Sequence, residues 1–250
     1  MCRVCLIAFH WQPDGPIPLL LAANRDEFYD RPTAPLAWWA GARILAGQDL
    51  RGGGTWLGVT PAGRCAAITN HRDPRLTKPD RPSRGQIPVR FLEGRDSAAA
   101  FLQALRGEAA DYNPFNLLLF DGQELLGYES RDDQVRAFAP GIHAVSNGPF
   151  DAPWPKVERL KAGLALAQGD DRALLALLGD AHAFEDGLLP STGVPLEWER
   201  ALAPVFIRTP TYGTRASTIL RLGRDAVAIL ERWFTSEGPE ARTEYNFKRT

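Results

Sequence analysis

Met1-Cys2-Arg3-Val4-Cys5-Leu6-Ile7-Ala8-Phe9 opens the chain, and its reading decides what the rest can be. Cys2 is a small residue of the kind that stands behind a removable initiator methionine. Removal leaves a thiol and a free α-amine on one residue. The amine's ordinary pKa is ~7.7–8.0 and the thiol's ~8.5. A base near neutrality then stands beside a nucleophile. Residues 3–9 read as a strand, with Cys2 at its tip. Read alone, a cysteine at position 2 has the plainer explanation of accident. The remainder of the chain changes that.

After the turn Pro13-Asp14-Gly15-Pro16, the run Leu19-Leu20-Leu21-Ala22-Ala23 predicts a second apolar strand. The two strands make a hairpin. The second ends in the polar block Asn24-Arg25-Asp26-Glu27, and antiparallel pairing returns that block towards Cys2. Residues 28–53 read as irregular around Pro32, Pro35, Trp38 and Trp39, with only a short apolar Ile44-Leu45-Ala46. Gly52-Gly53-Gly54 is not a P-loop: no Lys-Ser/Thr comes after it, and the next element reads as a strand. Thr55–Thr60 and Arg64–Thr69 predict a second hairpin that delivers Asn70 and His71. Residues 70–86 form a basic, proline-rich loop. A functional loop and a solvated surface loop both fit it.

Short helices are expected at Ile87–Leu92 and, capped by Asp96, at Ser97–Leu105. Asn116–Phe120, Leu125–Tyr128, Val135–Phe138 and Ile142–Ser146 read as an antiparallel meander. It runs into Asn147-Gly148-Pro149-Phe150-Asp151-Ala152-Pro153-Trp154-Pro155. Val157, Leu160 and Leu164 share one helix face; a second helix spans Arg172–Leu178 after Asp170 and Asp171, and a short one runs from Pro195 to Leu202. Val205–Ile207, Tyr212–Leu222 and Ala226–Phe234 read as strands, before a tail that is polar except for Tyr245 and Phe247. This order predicts an α+β fold with two antiparallel sheets and helices outside them, in one domain over residues 1–250.

Composition narrows the function. The chain is 44% hydrophobic and 24% charged with a formal net charge of −1, so nothing calls for nucleic acid or an anionic membrane surface. Three cysteines make no disulfide framework and suit a reducing compartment. No secretory signal is visible, and no uncharged apolar run reaches the ~18–20 residues of a membrane span. A cytoplasmic protein without stable membrane insertion is expected.

Six motifs stand in order: Cys2; Asn24-Arg25-Asp26-Glu27; Gly53-Gly54-Thr55-Trp56-Leu57-Gly58; Thr69-Asn70; Ser146-Asn147-Gly148-Pro149 with Pro153-Trp154-Pro155-Lys156-Val157; and Tyr212-Gly213-Thr214-Arg215. Together they resemble the NRDE family, the transport-and-Golgi-organisation type proteins, over the whole chain. The resemblance implies the four-layer αββα sandwich of N-terminal-nucleophile hydrolases, most similar to the cholylglycine-hydrolase and penicillin V acylase group. It implies Cys2 as nucleophile, Arg25 and Arg215 as the site arginines, and Asn70 and Asn147 as oxyanion donors. One place departs: Phe28 stands where those hydrolases have the aspartate that holds the α-amine. Asp26 or Glu27 would have to serve instead.

The implied reaction is cleavage of a linear amide or thioester of a small molecule through an acyl-Cys2 intermediate, with no metal and no required cofactor. Asn24, Glu27, Trp56, His71, His143 and Trp154 are the candidate binding residues. The alternative is a binding protein for haem or an acyl-lipid, since family members are linked to haem trafficking and to lipid or acyl-CoA metabolism. His10, His71, His143, His182 and Cys2 are then the candidate haem ligands. Taken singly, several of these residues have plainer explanations. Arg25 with Asp26 or Glu27 fits a surface ion-pair cluster, Asn147 fits a turn, and a lone histidine is more often structural. Cys2-x-x-Cys5 is a weak metal or redox signal, because strand parity points the two thiols to opposite faces. Cys65 reads as core.

Overall fold

Alternation along the first two strands sets the layers. In β1 (Cys5–Trp11), Leu6 and Ala8 face one apolar layer while Ile7, Phe9 and Trp11 face another. In β2 (Leu19–Phe28), Leu20 and Ala22 share the first layer, and Leu19, Leu21 and Ala23 the second. A strand buried on both faces needs cover on both, and that is what the chain builds. The computed structural model describes residues 5–41 and 43–250. The expected nucleophile Cys2, with Arg3 and Val4 of the expected first strand, lies outside the described residues.

Two antiparallel sheets result. The first has the order β10 (Gly141–Val145), β1, β2, β11 (Tyr212–Leu222), β12 (Ala226–Thr235), β13 (Gly238–Lys248). The second runs β3 (Thr33–Trp38), β4 (Leu45–Asp49), β5 (Leu57–Val59), β6 (Cys65–Asn70), β7 (Phe115–Phe120), β8 (Leu125–Glu129), β9 (Gln134–Ala137). Between them lies an apolar layer in which Ile7, Phe9 and Leu21 meet Leu57, Cys65 and Leu118. Cys65 is a core residue, and burial pushes its thiol up to about 12.

Helices cover the outer faces. α1 (Gln86–Glu93) and α2 (Ala98–Arg106) pack Ile87, Phe91 and Leu102 on Ile68, Leu117 and Leu119 of the second sheet. α3 (Pro155–Ala167) and α4 (Asp171–Leu178) pack Leu160, Leu164 and Leu174 on Leu6, Ala22 and Ile219 of the first. The fold is thus the expected α+β, four-layer αββα sandwich. Among the described residues no helix is long and apolar enough to cross a membrane.

Several local expectations are corrected. Residues 28–53 are not irregular: they contain β3 and β4, with a register shift between Ala34 and Ala37 that hides the alternation. β2 does not stop at Ala23 but continues through Phe28, because β11 pairs with it to the end. Residues 205–207 form no strand; only an isolated bridge, Arg208 to Gly213, comes after them. The polar tail is β13, paired to β12 along nearly its whole length. The cap of α2 is Ser97, whose side chain accepts from the Ala100 amide at 3.1 Å, rather than Asp96. α5 (Leu196–Ala201) starts after Pro195 as expected.

Candidate functional site

The polar half of β2 is the centre of the site. Register places Arg25 opposite Cys5, the first described residue of β1. Alternation turns Asn24, Asp26 and Phe28 to one face and Arg25 and Glu27 to the other. Asn24 donates to the Leu178 and Val205 carbonyls, both at 2.8 Å, and accepts from the Ser217 hydroxyl at 2.6 Å. It ties β2 to α4 and β11. Asp26 accepts from the Thr214 hydroxyl through Oδ1 at 2.6 Å, and its carbonyl accepts from the Tyr212 hydroxyl at 3.1 Å. Its Oδ2 is buried and has no hydrogen-bond partner. Burial drives the Asp26 carboxyl well above its ordinary pKa, and the nearby Lys156 ammonium offsets part of that.

Arg25 lies over the Trp56 ring, 4.4 Å from its centroid. The stack forms because Gly47 lets the indole approach: a Cβ there would meet the ring at 2.1 Å. NH2 of Arg25 faces Glu27 at 3.7 Å and Asp49 at 3.9 Å, while its NH1 is buried without a partner. Arg31 donates to Asp49 at 2.8 Å and stands 3.5 Å from Glu27. Asp49 also accepts the backbone amides of Arg51 and Gly52, at 3.0 and 2.9 Å. Its carboxyl falls below the ordinary range, because these hydrogen bonds and the arginines outweigh partial burial. Arg31 and Asp49 are site residues that sequence reasoning missed. Their signal was an arginine four positions after Glu27 and an acid just before a triple glycine.

These groups floor a cleft of about 430 Å³, within the usual range for small-molecule sites. Cys5, Arg25, Asp26 and Glu27 line it from the first sheet, and Trp56, Asn70 and His71 from the second. Asn24, an expected binding residue, is not part of its lining. The basic loop forms the other wall, with Lys78, Arg81 and Arg84. Close backbone packing holds that wall in place. The Thr55 amide donates to the Gly85 carbonyl at 3.0 Å, and a Cβ on Gly54 would lie 2.2 Å from the Gly85 carbonyl carbon. The Cys5 thiol is pushed up to about 12, by burial first and Asp26 second, so it is no nucleophile at neutral pH.

Asn147 and Ser146 cross-tie three strand ends. The Asn147 side-chain amide donates to the Asn70 carbonyl at 2.6 Å, and its backbone carbonyl accepts from the Arg72 amide at 2.8 Å. The Ser146 hydroxyl donates to the Cys5 carbonyl at 2.9 Å. Asn147 thereby fixes Asn70 from behind rather than lining the cleft. His71 is buried at the cleft wall, where burial and then Arg131 hold its imidazole below the ordinary pKa.

Three more expected site residues stand outside the cleft lining, as Asn24 and Asn147 do. Arg215 occupies a β-bulge between Thr214 and Ala216. The bulge re-aims its guanidinium, which donates to the carbonyls of Phe28, Tyr29, Arg31 and Phe234 at 2.9–3.3 Å. It fastens the end of β2. His143 bonds Asp151 at 2.8 Å and the Ala139 carbonyl at 2.9 Å, stacked against Phe9. Trp154 caps α3 under the Arg72 guanidinium, 4.9 Å from its ring.

Behind the cleft lies a second buried polar group that sequence reasoning did not single out. Lys156 donates to the Leu202 carbonyl at 2.9 Å, and Arg72 faces Glu199 at 3.4 Å. Burial, then Arg72, drive the Lys156 ammonium below its ordinary pKa, against the pull of Asp26. Among the described residues no group of three or more His, Cys, Asp or Glu side chains could hold a metal ion.

Comparison with known proteins supplies the family context. The sequence model described as Transport and Golgi organisation 2 matches residues 4–236. The Transport and Golgi organization protein 2 homolog of Homo sapiens is 31% identical over 259 residues, covering 92% of each chain. The Bos taurus homolog is 30% identical over 266 residues, covering 94% of this chain and 95% of that one. Among solved structures, a mutant conjugated bile acid hydrolase from Clostridium perfringens is similar with a TM-score of 0.45 and 12% identity, over 98% of both chains. An N-acylethanolamine-hydrolyzing acid amidase ortholog from Caenorhabditis elegans gives a TM-score of 0.37 and 11% identity, over 86% of this chain and 92% of that one.

Proposed function

The chain belongs to the Transport and Golgi organisation 2 family, and we propose that it is an N-terminal-cysteine hydrolase that cleaves a linear amide or thioester of a small molecule through an acyl-Cys2 intermediate. One observation carries the reading. Two buried polar atoms without partners, Asp26 Oδ2 and Arg25 NH1, belong to residues that line one cleft beside Cys5. Buried polar atoms are left unsatisfied at a cost of about 1–3 kcal/mol each, and such places mark function. Residue 2 stands three positions before Cys5 in the sequence. An acid oxygen and a guanidinium N–H are what an α-ammonium and a thiolate need as neighbours.

In the proposed cycle, Met1 is removed and the Cys2 amine takes the thiol proton. The thiolate attacks the substrate carbonyl, and the side-chain amide of Asn70 receives the developing oxyanion, with Asn147 holding Asn70 in place. Collapse breaks the C–N or C–S bond, and the leaving group takes the proton held on the amine. Water, deprotonated by the same amine, then cleaves the acyl-thioester and frees the acid and Cys2. Asp26 holds the amine in place of the aspartate absent at Phe28. Arg215 acts as a positioning residue, through β2.

The test is intact mass on protein with no N-terminal tag, before and after a thiol-reactive acyl probe. The reading expects loss of Met1 and one adduct on Cys2 at near-neutral pH, absent in Cys2→Ala. Retained Met1, or labelling no faster than a free thiol, would sink it. A second reading keeps the cleft and drops turnover: a carrier for haem or an acyl-lipid. His71 favours it, as a cleft-lining imidazole held below its ordinary pKa and therefore neutral, the form that ligates iron. Haem titration should then give an absorbance shift that survives Cys2→Ala and disappears in His71→Ala.

A further inference from the structure

We propose that the loop side of this cleft is an oxyanion-binding subsite, built from Arg51, Lys78 and Arg81 with Arg25 NH1 at its floor, and that the substrate presents a phosphate or carboxylate group there. The proposal deepens the hydrolase reading and rests on it for where the reacting carbonyl lies.

The charge balance of the lining comes first. Six basic residues, Arg25, Arg31, Arg51, Lys78, Arg81 and Arg84, face three acidic ones, Asp26, Glu27 and Asp49. The whole chain has a formal net charge of −1, so this excess is local rather than a general basic character. The acids are already engaged at the floor: Glu27 and Asp49 by Arg25 and Arg31, Asp26 by Thr214. No carboxylate stands within ion-pair distance of Arg51, Lys78 or Arg81 among the described residues.

These cations are also not on a loose strap. The Lys78 backbone is bracketed by the Asn113 side chain, which accepts its amide and donates to its carbonyl, both at 2.7 Å. Arg81 donates to the Asp111 carbonyl at 3.3 Å. The Arg51 amide donates to Asp49 at 3.0 Å. The decisive group is Arg25. It lines the cleft, it is 4% exposed, and its buried NH1 has no hydrogen-bond partner. With NH2 turned to Glu27 and Asp49, NH1 is left as a single charged donor, which suits an oxygen of either a carboxylate or a phosphate.

Two arms test this on the full chain. In the first, calorimetric titration with phenyl phosphate, benzoate and uncharged benzyl alcohol compares wild type with the double variant Arg51→Ala/Arg81→Ala, and with Lys78→Gln. The proposal expects an anion to bind at least about tenfold more tightly than the alcohol, with loss of most of that margin in the double variant and at high salt. Which anion binds better separates phosphate from carboxylate. No anion preference, or the same preference in the double variant, would overturn the subsite. In the second arm, two acyl thioesters differing only in an anionic or neutral tail compete for Cys2. A faster reaction with the anionic tail, lost in the double variant, supports both ideas. Equal rates would sink the subsite and leave the hydrolase. Anion binding with no acylation by either probe would keep the subsite and end the hydrolase.

Discussion

The two halves of β2 are equally buried and chemically opposite. Leu19 and Leu21 are 0% exposed; Asn24 and Asp26, on the same strand, are 1% exposed. The side chains of the first half are held by contact alone, between the sheets and under the helices. The second is held by named partners: Ser217, Thr214, Tyr212, the Leu178 and Val205 carbonyls, and Asp49. An apolar residue needs only neighbours of the right shape, whereas each polar one needs a particular donor or acceptor. The apolar half therefore specifies stability, and the polar half specifies a site. Where the partners stop short, at Asp26 Oδ2 and Arg25 NH1, the strand is ready for something it does not itself supply.

Substitutions can break this division. Leu21→Ala should cost about 2–5 kcal/mol of unfolding free energy, with acyl-probe labelling of the remaining folded protein unchanged. Chemical denaturation checks the first and mass spectrometry the second. Arg215→Met should cost about 2–4 kcal/mol, because four hydrogen bonds to backbone carbonyls are lost, although Phe28 keeps the Arg31 amide and Arg31 the Thr33 hydroxyl as donors. Lysine should rescue only part of that, lacking the fork.

Glu231 sharpens the comparison from β12. It accepts the Leu36 amide at 2.7 Å, yet burial pushes its carboxyl up to about 7 from an ordinary 4.5. The native state then binds more protons than the unfolded one between those values. Stability should therefore fall as pH rises from about 4.5 to 7, by on the order of 1–3 kcal/mol, and Glu231→Gln should flatten that slope in denaturation curves. Asp26→Asn should be the smallest effect on stability, within about 1 kcal/mol, because the amide still accepts from Thr214 and no charge is buried. Probe labelling of Cys2 should nevertheless drop about tenfold or more. Unchanged labelling would show that Asp26 belongs to the structural half after all.

Much of the fold is legible in the sequence, for a physical reason. Apolar runs between clear turns mark β1, the start of β2, β6, β7 to β9 and the helices; Ile142–Ser146, expected to continue that meander, crosses instead to the first sheet as β10 and pairs with β1. The second hairpin delivers Asn70 and His71 to the cleft as expected. Asn24 to Glu27 mislead because polarity usually means solvent; nothing local says that β11 will pair along the same stretch. β3 and β4 are hidden by Pro35, paired tryptophans and the shifted register. β13 is hidden because it is an edge strand, with one partner and mostly exposed side chains. Arg215 illustrates the limit most clearly. Its residue type suggests the site, but the bulge that re-aims it depends on a register between strands nearly two hundred residues apart.

The Arg25–Trp56 stack makes the cleft its own optical reporter. An indole under a guanidinium changes its emission when that guanidinium is drawn to a new partner. Subtracting the spectrum of Trp56→Phe would isolate this ring from the other tryptophans. The difference spectrum would then track occupancy of the floor in real time, with no label and no assumption about the occupant's chemistry.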